Sequence, residues 1–320
     1  MMDEQEKSDF PKVALKPANN PGVTGAESVE RRGKAEGNMG ENPLRRTQGR
    51  ANAMLGLDRV RQAAKTRKKE QFTALLRHVS VERLEAAYYA LKRAAAPGVD
   101  GRRWGEYGQE LEANLKDLHA RLHRGAYRAL PSRRVFIAKS DGQQRPLGIA
   151  ALEDKILQRA VVEVLNAIYE EDFRGFSYGF RPGRGQHDAL DALAVAITRA
   201  KVNWIVDADI AKFFDSTSHE WLLRFVEHRI GDPRILCLIR QWLKAGVMEH
   251  GVVAFSEVGT PQGSVASPLL ANIYLHYTFD LWAERWRRRN ARGQVIFVRY
   301  ASTSLPASST NPTPGDFWRS

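Results

Sequence analysis

Three aspartates lie close together in the chain and could hold a divalent cation. Asp207 and Asp209 alternate within the otherwise apolar run 203–210, and Asp215 follows. On a β-strand, residues two apart point to the same face, so Asp207 and Asp209 would present a pair of carboxylates. Carboxylate oxygens suit Mg²⁺, which keeps several waters and takes one or two carboxylates together with substrate phosphates. An aspartate that caps a turn is the alternative, and the pair alone does not decide between the two.

The elements that must position these aspartates are predicted from apolar periodicity and turn residues. Apolar residues at helical spacing predict helices from Ser80 to Pro97 and over 106–123, 152–168, 218–230 and 268–289. Alternating or short apolar runs predict strands over 133–138, 203–210 and 295–300, and a hairpin over 246–260. Helices come first and strand–helix alternation comes later, so the order predicts the α+β class.

Composition limits the classes of function. The 320 residues include 49 Lys and Arg against 37 Asp and Glu, a net charge of +12, and 43% are hydrophobic. That apolar fraction excludes wholesale disorder, and the positive charge favours a polyanionic partner. No apolar run approaches the roughly 20 residues of a bilayer span, and the N-terminus lacks a signal-peptide core. With a single cysteine, Cys237, an internal disulfide is excluded, so we expect a cytoplasmic protein without membrane contact.

The N-terminal region differs from the rest of the chain. Residues 1–57 mix Pro, Gly, Asn and charged residues without helical or strand period, which predicts a disordered tail. A basic cluster follows at 59–69 and includes Arg67, Lys68 and Lys69. Such a cluster is either a solvated helix face or a phosphate contact, and the sequence leaves both open.

Six ordered blocks carry a family resemblance over roughly residues 75–301. DADIAKFFDSTSHEWL, which contains Asp209, resembles the first palm motif of reverse transcriptases of the group II intron maturase type. KRAAAPGVDG resembles the family's opening motif, and RRVFIAKSDGQQRPLGIAALEDKILQRAV and FSYGFRPGRGQHDAL resemble its two fingers motifs. GTPQGSVASPLLANIYLH resembles its Pro-Gln-Gly motif, and FVRYA resembles the start of its Tyr-Ala-Asp-Asp motif. Several blocks in the family's order are far more specific than any lone pattern.

The resemblance implies an RNA-directed DNA polymerase with right-hand fingers and an antiparallel palm sheet packed on helices. Such enzymes join nucleotides with two Mg²⁺ ions. Asp209 matches the family's first metal-binding, catalytic aspartate, and the Ile210 carbonyl matches the position that faces the second metal. Phe214 matches the bulky residue that blocks a ribose 2′-hydroxyl, although ordinary core packing would also explain a Phe there.

The resemblance also implies contacts to nucleotide and RNA. Lys139 and Arg145 match the fingertip residues that grip the incoming triphosphate, and Gln262 matches the residue beside its sugar and base. Arginines interleaved with aromatic residues suit RNA stacking and phosphate contact. The residues predicted to bind RNA are Arg67, Lys68, Lys69, Tyr178, Arg181 and Arg184.

The chain departs from the family at the palm hairpin. Where the family reads Tyr-Ala-Asp-Asp, this chain reads Tyr300-Ala301-Ser302-Thr303. One carboxylate cannot hold two metals, so we expect the copy to be catalytically incomplete. Pro, Ser and Thr replace the apolar pattern after Ala301, which predicts a truncated or frame-disrupted chain without a thumb.

These observations predict fingers over 58–200, a partial palm over 201–301 and an aberrant, non-homologous tail over 302–320. Strand 295–300 is expected to pair with 203–209 and to leave an exposed apolar edge. By family, the function is reverse transcription and intron-RNA binding, with intron RNA, template RNA and a DNA primer as partners. The alternatives are a non-catalytic RNA-binding protein of the splicing type and a decayed product that does not fold stably.

Overall fold

The computed structural model describes residues 56–138, 142, 144–199, 202–260, 263–291 and 293–309. The predicted disordered tail lies outside them except for Gly56 and Leu57, which begin the first helix. Lys139 and Gln262 also lie outside the described residues, as does 310–320 of the predicted aberrant tail.

Helices and antiparallel or mixed sheets are combined as in an α+β protein. The helices are α1 (56–66), α2 (Val81–Tyr89), α3 (Trp104–Gln109), α4 (Leu111–His123), α5 (Leu152–Tyr169), α6 (Gln186–Arg199), α7 (Phe213–Ser216), α8 (His219–Glu227), α9 (Pro233–Lys244), α10 (Ser267–Leu275) and α11 (Leu281–Arg289). The strands are β1 (Ser132–Ala138), β2 (Gln144–Ile149), β3 (Trp204–Ile205), β4 (Ala208–Asp209), β5 (Val247–Glu249), β6 (Val252–Ala254), β7 (Val295–Tyr300) and β8 (Thr303–Ser308). The predicted helix 268–289 is interrupted by a π-helical turn, His276–Asp280, between α10 and α11.

Side-chain caps fix where several helices begin. The Ser80 side chain accepts a hydrogen bond from the backbone N–H of Arg83, which confirms the predicted start of α2, while its end at Tyr89 comes before the predicted Pro97. Ser218 caps α8 in the same way, and Asp232 caps α9 ahead of Pro233. Each cap satisfies a backbone donor that the first helical turn leaves unpaired, and such a cap is worth about 1 kcal/mol.

The main apolar core forms around α5. Ile156, Leu157, Val161, Val164 and Ile168 have no exposed surface and belong to one cluster with residues of α2, α4, α8, α9 and α10. Burying each such side chain contributes about 1.5–3 kcal/mol, so α5 stabilises much of the described structure. The long apolar helix predicted from the sequence is therefore confirmed.

The first sheet has the order β2-β1-β5-β6. β1 and β2 pair antiparallel, with Arg133 opposite Ile149, and β1 pairs parallel with β5. β5 and β6 form an antiparallel hairpin, as predicted from the glycine-bounded apolar run. This sheet carries Arg145 on its edge strand β2.

The second sheet is organised by β8, which pairs antiparallel with β7 on one side and with β3 and β4 on the other. The predicted direct pairing of 295–300 with 203–209 is wrong, because β8 lies between them. The hairpin partner that was expected to be missing after Tyr300 is present as β8, while the apolar side chains of Trp204 and Ile205 on the outer strand β3 are exposed. Residues 303–308, expected to belong to an aberrant tail, fill the centre of the sheet.

Small side chains let β8 occupy this central place. Ala307 has no exposed surface, and Ser304 and Ser308 are buried. Pro306 has no backbone N–H, but its carbonyl accepts a hydrogen bond of 2.9 Å from the backbone N–H of Val206. The strand therefore forms through backbone pairing, without an apolar alternation that the sequence would reveal.

Candidate active site

The second sheet brings Asp209 beside the hairpin between β7 and β8. Asp209 is the last residue of β4, is exposed, and lies opposite Thr303 in β8. The hydroxyls of Ser302 and Thr303 donate hydrogen bonds of 3.0 and 3.2 Å to the same oxygen, Oδ1, of Asp209. The backbone N–H of Ile210 donates to the Ser302 carbonyl at 3.4 Å. Asp209 and Ile210 thus lie beside Ser302 and Thr303, the two residues that follow Tyr300-Ala301 in this chain.

The donor set at Asp209 does not fit two metal ions. Among the residues that the structure describes, no group of three or more His, Cys, Asp or Glu side chains could hold a metal. Asp207 lies between β3 and β4 and Asp215 lies in α7, both exposed. Magnesium sites for nucleotidyl transfer need fixed carboxylates, whereas Ser302 and Thr303 offer neutral hydroxyls. The residues at this position therefore do not fit a pair of Mg²⁺ ions.

A buried arginine, Arg299, links the β7–β8 hairpin to a buried aspartate. Arg299 is 1% exposed, and its Nε and Nη2 donate hydrogen bonds of 2.7 Å each to the two carboxylate oxygens of Asp280, which is fully buried. Its Nη1 donates to the Ala301 carbonyl at 2.9 Å, inside the two-residue turn. This bidentate geometry makes the pair strong and directional.

The same guanidinium connects the hairpin to α10 and to the loop before α6. It donates to Asn272 Oδ1 at 3.1 Å and to Ser177 Oγ at 2.6 Å, and the Asn272 amide donates to the Gly179 carbonyl at 2.8 Å. A Cβ at Gly179 would collide with the backbone nitrogen of Ala301, so only glycine permits this approach. The hairpin turn is therefore fixed in position by three separate elements.

Sequence reasoning missed this network. A charged residue within the apolar strand VIFVRY was the available signal, since such a residue is buried only when it is paired. The partner could not be inferred, because Asp280 lies in the π-helical turn 19 positions before Arg299.

Burial and charge together set the protonation of the groups around Arg299. Burial raises the pKa of Asp280, while the adjacent Arg299 favours its charged form. Burial, and then the charges of Arg174, Arg299 and Arg181, lower the pKa of His276 to about 3. The imidazole is therefore neutral near pH 7, and its 4.0 Å contact with Asp280 is not an ion pair.

Phe214 lies beside the segment that leads into the Pro-Gln-Gly motif. Its ring packs against Phe213 and Phe180, with centroids 5.5 and 6.3 Å apart, and it is half-buried. Its carbonyl accepts a hydrogen bond of 2.7 Å from the backbone N–H of Thr260. The structure thus places Phe214 beside Thr260, and Gln262 lies outside the described residues.

The predicted RNA contacts divide into accessible and buried residues. Arg181 is only 6% exposed: its guanidinium forms a bidentate pair with Glu170 and donates to the carbonyls of Arg174 and Ser177 at 2.8 and 2.7 Å. An RNA contact by Arg181 is therefore contradicted by its burial, because its donors hold the loop together.

The neighbouring predicted contacts are more accessible. Arg184 lies 5.3 Å from the ring centroid of Tyr178 and is partly exposed. Arg145 is exposed on β2, opposite Ile137. Arg67 and Lys68 have side chains that are 66% and 51% exposed, although they pair with Glu70 and Asp172, and Lys69 is exposed. These surfaces are open to a ligand.

Comparison with known proteins decides the family. Residues 137–302, just over half of the chain, match the family described as "Reverse transcriptase (RNA-dependent DNA polymerase)". The chain belongs to the reverse transcriptase family. The resemblance read from the motifs is confirmed, and the α+β fold is that of reverse transcriptase fingers and palm.

Two relatives match the chain over about two thirds of its length. Protein YkfC of Escherichia coli (strain K12) is 39% identical over 213 residues, which cover 65% of this chain and 56% of that protein. The group II intron-encoded protein LtrA of Lactococcus lactis subsp. cremoris is 36% identical over 225 residues, 69% of this chain and 37% of that protein. The chain therefore matches about half or less of each of these relatives.

A solved reverse transcriptase assembly is also similar. A chain of the "Partial Cas6-RT-Cas1--Cas2 complex" aligns with a TM-score of 0.45 at 20% identity, covering 75% of this chain and 39% of that chain.

Among the described residues, no helix has both the length and the apolar character that a membrane span requires.

Proposed function

We propose that this reverse transcriptase domain binds an RNA template and DNA primer but does not synthesise DNA. One observation supports the second part: Asp209 meets two neutral hydroxyls, from Ser302 and Thr303, where the family's motif supplies two further carboxylates. Two Mg²⁺ ions carry four positive charges, and a single exposed carboxylate neutralises one of them. The charge stabilisation that dominates such catalysis is therefore missing.

The proposed nucleic-acid surface contains the accessible residues of the fingers and palm. Arg145 and Lys139 would contact phosphates, Phe214 and Gln262 would lie beside the nucleotide, and Tyr178 with Arg184 would stack on RNA. The basic cluster Arg67, Lys68 and Lys69 would add salt-dependent phosphate contacts. We omit Arg181 from this surface because its guanidinium is buried against Glu170.

The relatives support a specific RNA partner. LtrA is a group II intron-encoded protein, so we propose that this chain recognises the RNA of a group II intron in the cytoplasm. We keep the proposed division into fingers over 58–200 and palm from 201 onward, and we extend the palm to the end of β8 at Ser308. A non-catalytic, splicing-type RNA-binding role is the form of this proposal that the Asp209 geometry favours.

Primer extension beside RNA binding tests the proposal. Nucleotide incorporation on poly(A)/oligo(dT) with Mg²⁺ should be absent, whereas the same duplex should bind and be released by salt. Each phosphate contact steepens the dependence of log K on log salt by about 0.7–0.9. Incorporation that Asp209→Ala abolishes would overturn the catalytic part, and affinity that does not change with salt would overturn the binding part.

A further inference from the structure

An open pocket lies outside the palm site, between the loop that precedes β1 and the C-terminal end of α9. Its volume is about 490 Å³, within the range that holds small ligands. Arg128, Gln241, Lys244 and Phe255 line it together with the small apolar residues Ala129 and Pro131. None of the described residues that line the pocket carries a carboxylate side chain.

Phe255 presents an aromatic ring to solvent. It is 75% exposed, the largest value among the large apolar side chains that the structure describes. A Cβ at Gly246 would lie 3.1 Å from Cδ1 of Phe255, so the ring is close against the Gly246 backbone. An exposed ring that is supported on one side is the usual platform for stacking an unpaired base.

The loop that carries Arg128 is held in place. The Arg128 Nη1 donates hydrogen bonds of 2.7 Å to the carbonyls of Gly125 and Tyr127. The backbone N–H of Ala129 donates to Gln241 Oε1 at 3.3 Å, and that of Leu130 donates to Asp154 Oδ2 at 3.1 Å. The guanidinium is therefore oriented before any ligand arrives.

The charges of the pocket select one class of ligand. Arg128 and Lys244 are exposed and form no ion pair with any side chain in the described part of the chain. The pocket also lies at the carbonyl end of α9, whose partial negative charge disfavours a free anion. A phosphate would therefore need a further contact, such as stacking of an attached base. A nucleotide meets both conditions, because its base stacks while its phosphate is held by two cations.

We propose that this pocket binds an unpaired nucleotide of a single-stranded RNA, with the base on Phe255 and the phosphate between Arg128 and Lys244. The inference rests on the proposed function only in that both involve nucleic acid. The pocket shares no residue with the surface proposed for primer and template.

The test uses a single-stranded oligouridylate that carries one 2-aminopurine, titrated into the full chain. Phe255→Ala should lower the affinity about ten-fold or more and remove the quenching of 2-aminopurine fluorescence. Phe255→Trp should retain the wild-type affinity and the quenching, because the ring can still stack on the base. Val252→Ala is the matched control, because Val252 is 71% exposed on the same hairpin and lies outside the pocket. Arg128→Gln and Lys244→Gln should each lower the salt slope by about 0.7.

Binding of a blunt RNA–DNA duplex, made of oligo(A) and oligo(dT) of equal length so that no base is unpaired, separates the two proposals. Duplex binding that Phe255→Ala leaves unchanged, with loss of single-strand binding, supports the pocket. Equal affinities of Phe255→Ala and Val252→Ala for the single strand would overturn it and leave the palm proposal standing. If sedimentation shows that the wild type is a dimer and Phe255→Ala a monomer, with unchanged RNA affinity, the pocket proposal is overturned and Phe255 belongs to a self-association surface. Loss of duplex binding alone would count only against the palm proposal.

Discussion

Replacing both hydroxyls beside Asp209 by carboxylates, as Ser302→Asp with Thr303→Asp, is expected to create a divalent-cation site. The hydroxyl oxygens lie 3.0 and 3.2 Å from Asp209 Oδ1, so the new carboxylates would lie within about 4 Å of it. At exposed positions, each like-charge pair at that separation costs about 1 kcal/mol. With three such pairs, the metal-free variant should lose about 3 kcal/mol of unfolding free energy at low salt.

Excess Mg²⁺ should then restore the stability of this variant. Binding to the native state alone stabilises by about 2.7 kcal/mol at a hundred times the dissociation constant, close to the predicted loss. Urea unfolding followed by tryptophan fluorescence, with and without Mg²⁺, measures both quantities. The neutral control Ser302→Asn with Thr303→Asn should show neither the loss nor the recovery.

Two results would refute this reasoning. An equal stabilisation of the wild-type chain by Mg²⁺ would show that Asp209 already belongs to a metal site. A double variant whose unfolding free energy does not change with Mg²⁺ would show that the hairpin does not bring the three carboxylates together.

Three further predictions concern buried groups. Arg299→Met leaves Asp280 without its partner and should cost about 3–5 kcal/mol in urea unfolding, with part of the loss recovered by adding Asp280→Asn; a cost below about 1 kcal/mol would contradict the network. Burial raises the pKa of Asp154 from 3.8 to about 6, so the unfolding free energy of the wild type should fall by about 3 kcal/mol relative to that of Asp154→Asn as the pH rises through this interval. A difference that grows with pH would show that the pKa of Asp154 is not raised. The pKa of His276 is lowered from 6.5 to about 3, so the unfolding free energy of the wild type relative to that of His276→Gln should fall by about 1.4 kcal/mol per pH unit as the pH drops from 6.5 to 3. A difference between the two unfolding free energies that does not change with pH would show that the pKa of His276 is not lowered.

The sequence predicted the parts of the site that depend on local pattern. The apolar run predicted as one strand over 203–210 instead forms two short strands, β3 and β4, with Trp204 and Ile205 exposed. The strand VIFVRY and the apolar helix α5, in contrast, have a period that the structure confirms. Their side chains alone specify these elements, because local propensity and tertiary burial agree.

The parts that the sequence did not predict depend on tertiary context. Residues 303–308 contain Pro306 and small polar residues without alternation, yet they form β8 because β7 and β4 leave backbone groups to pair on both sides. Arg181 was predicted to contact RNA because arginines and aromatic residues are interleaved in its loop. Its burial against Glu170 depends on how that loop folds back toward the end of α5, which no local pattern reports.

The central position of β8 also determines when the palm sheet can assemble during synthesis. Trp204 pairs with Ser308 and Asp209 with Thr303, so each pair is separated by roughly 100 residues of chain. A ribosome needs about 5–20 s to add that length. During this interval β3 and β4 have left the ribosome without their partner, while the helices around α5 can already pack. The nascent chain therefore presents an unpaired strand edge beside Asp209 for seconds, and chaperones or wrong strands can bind there before β8 does.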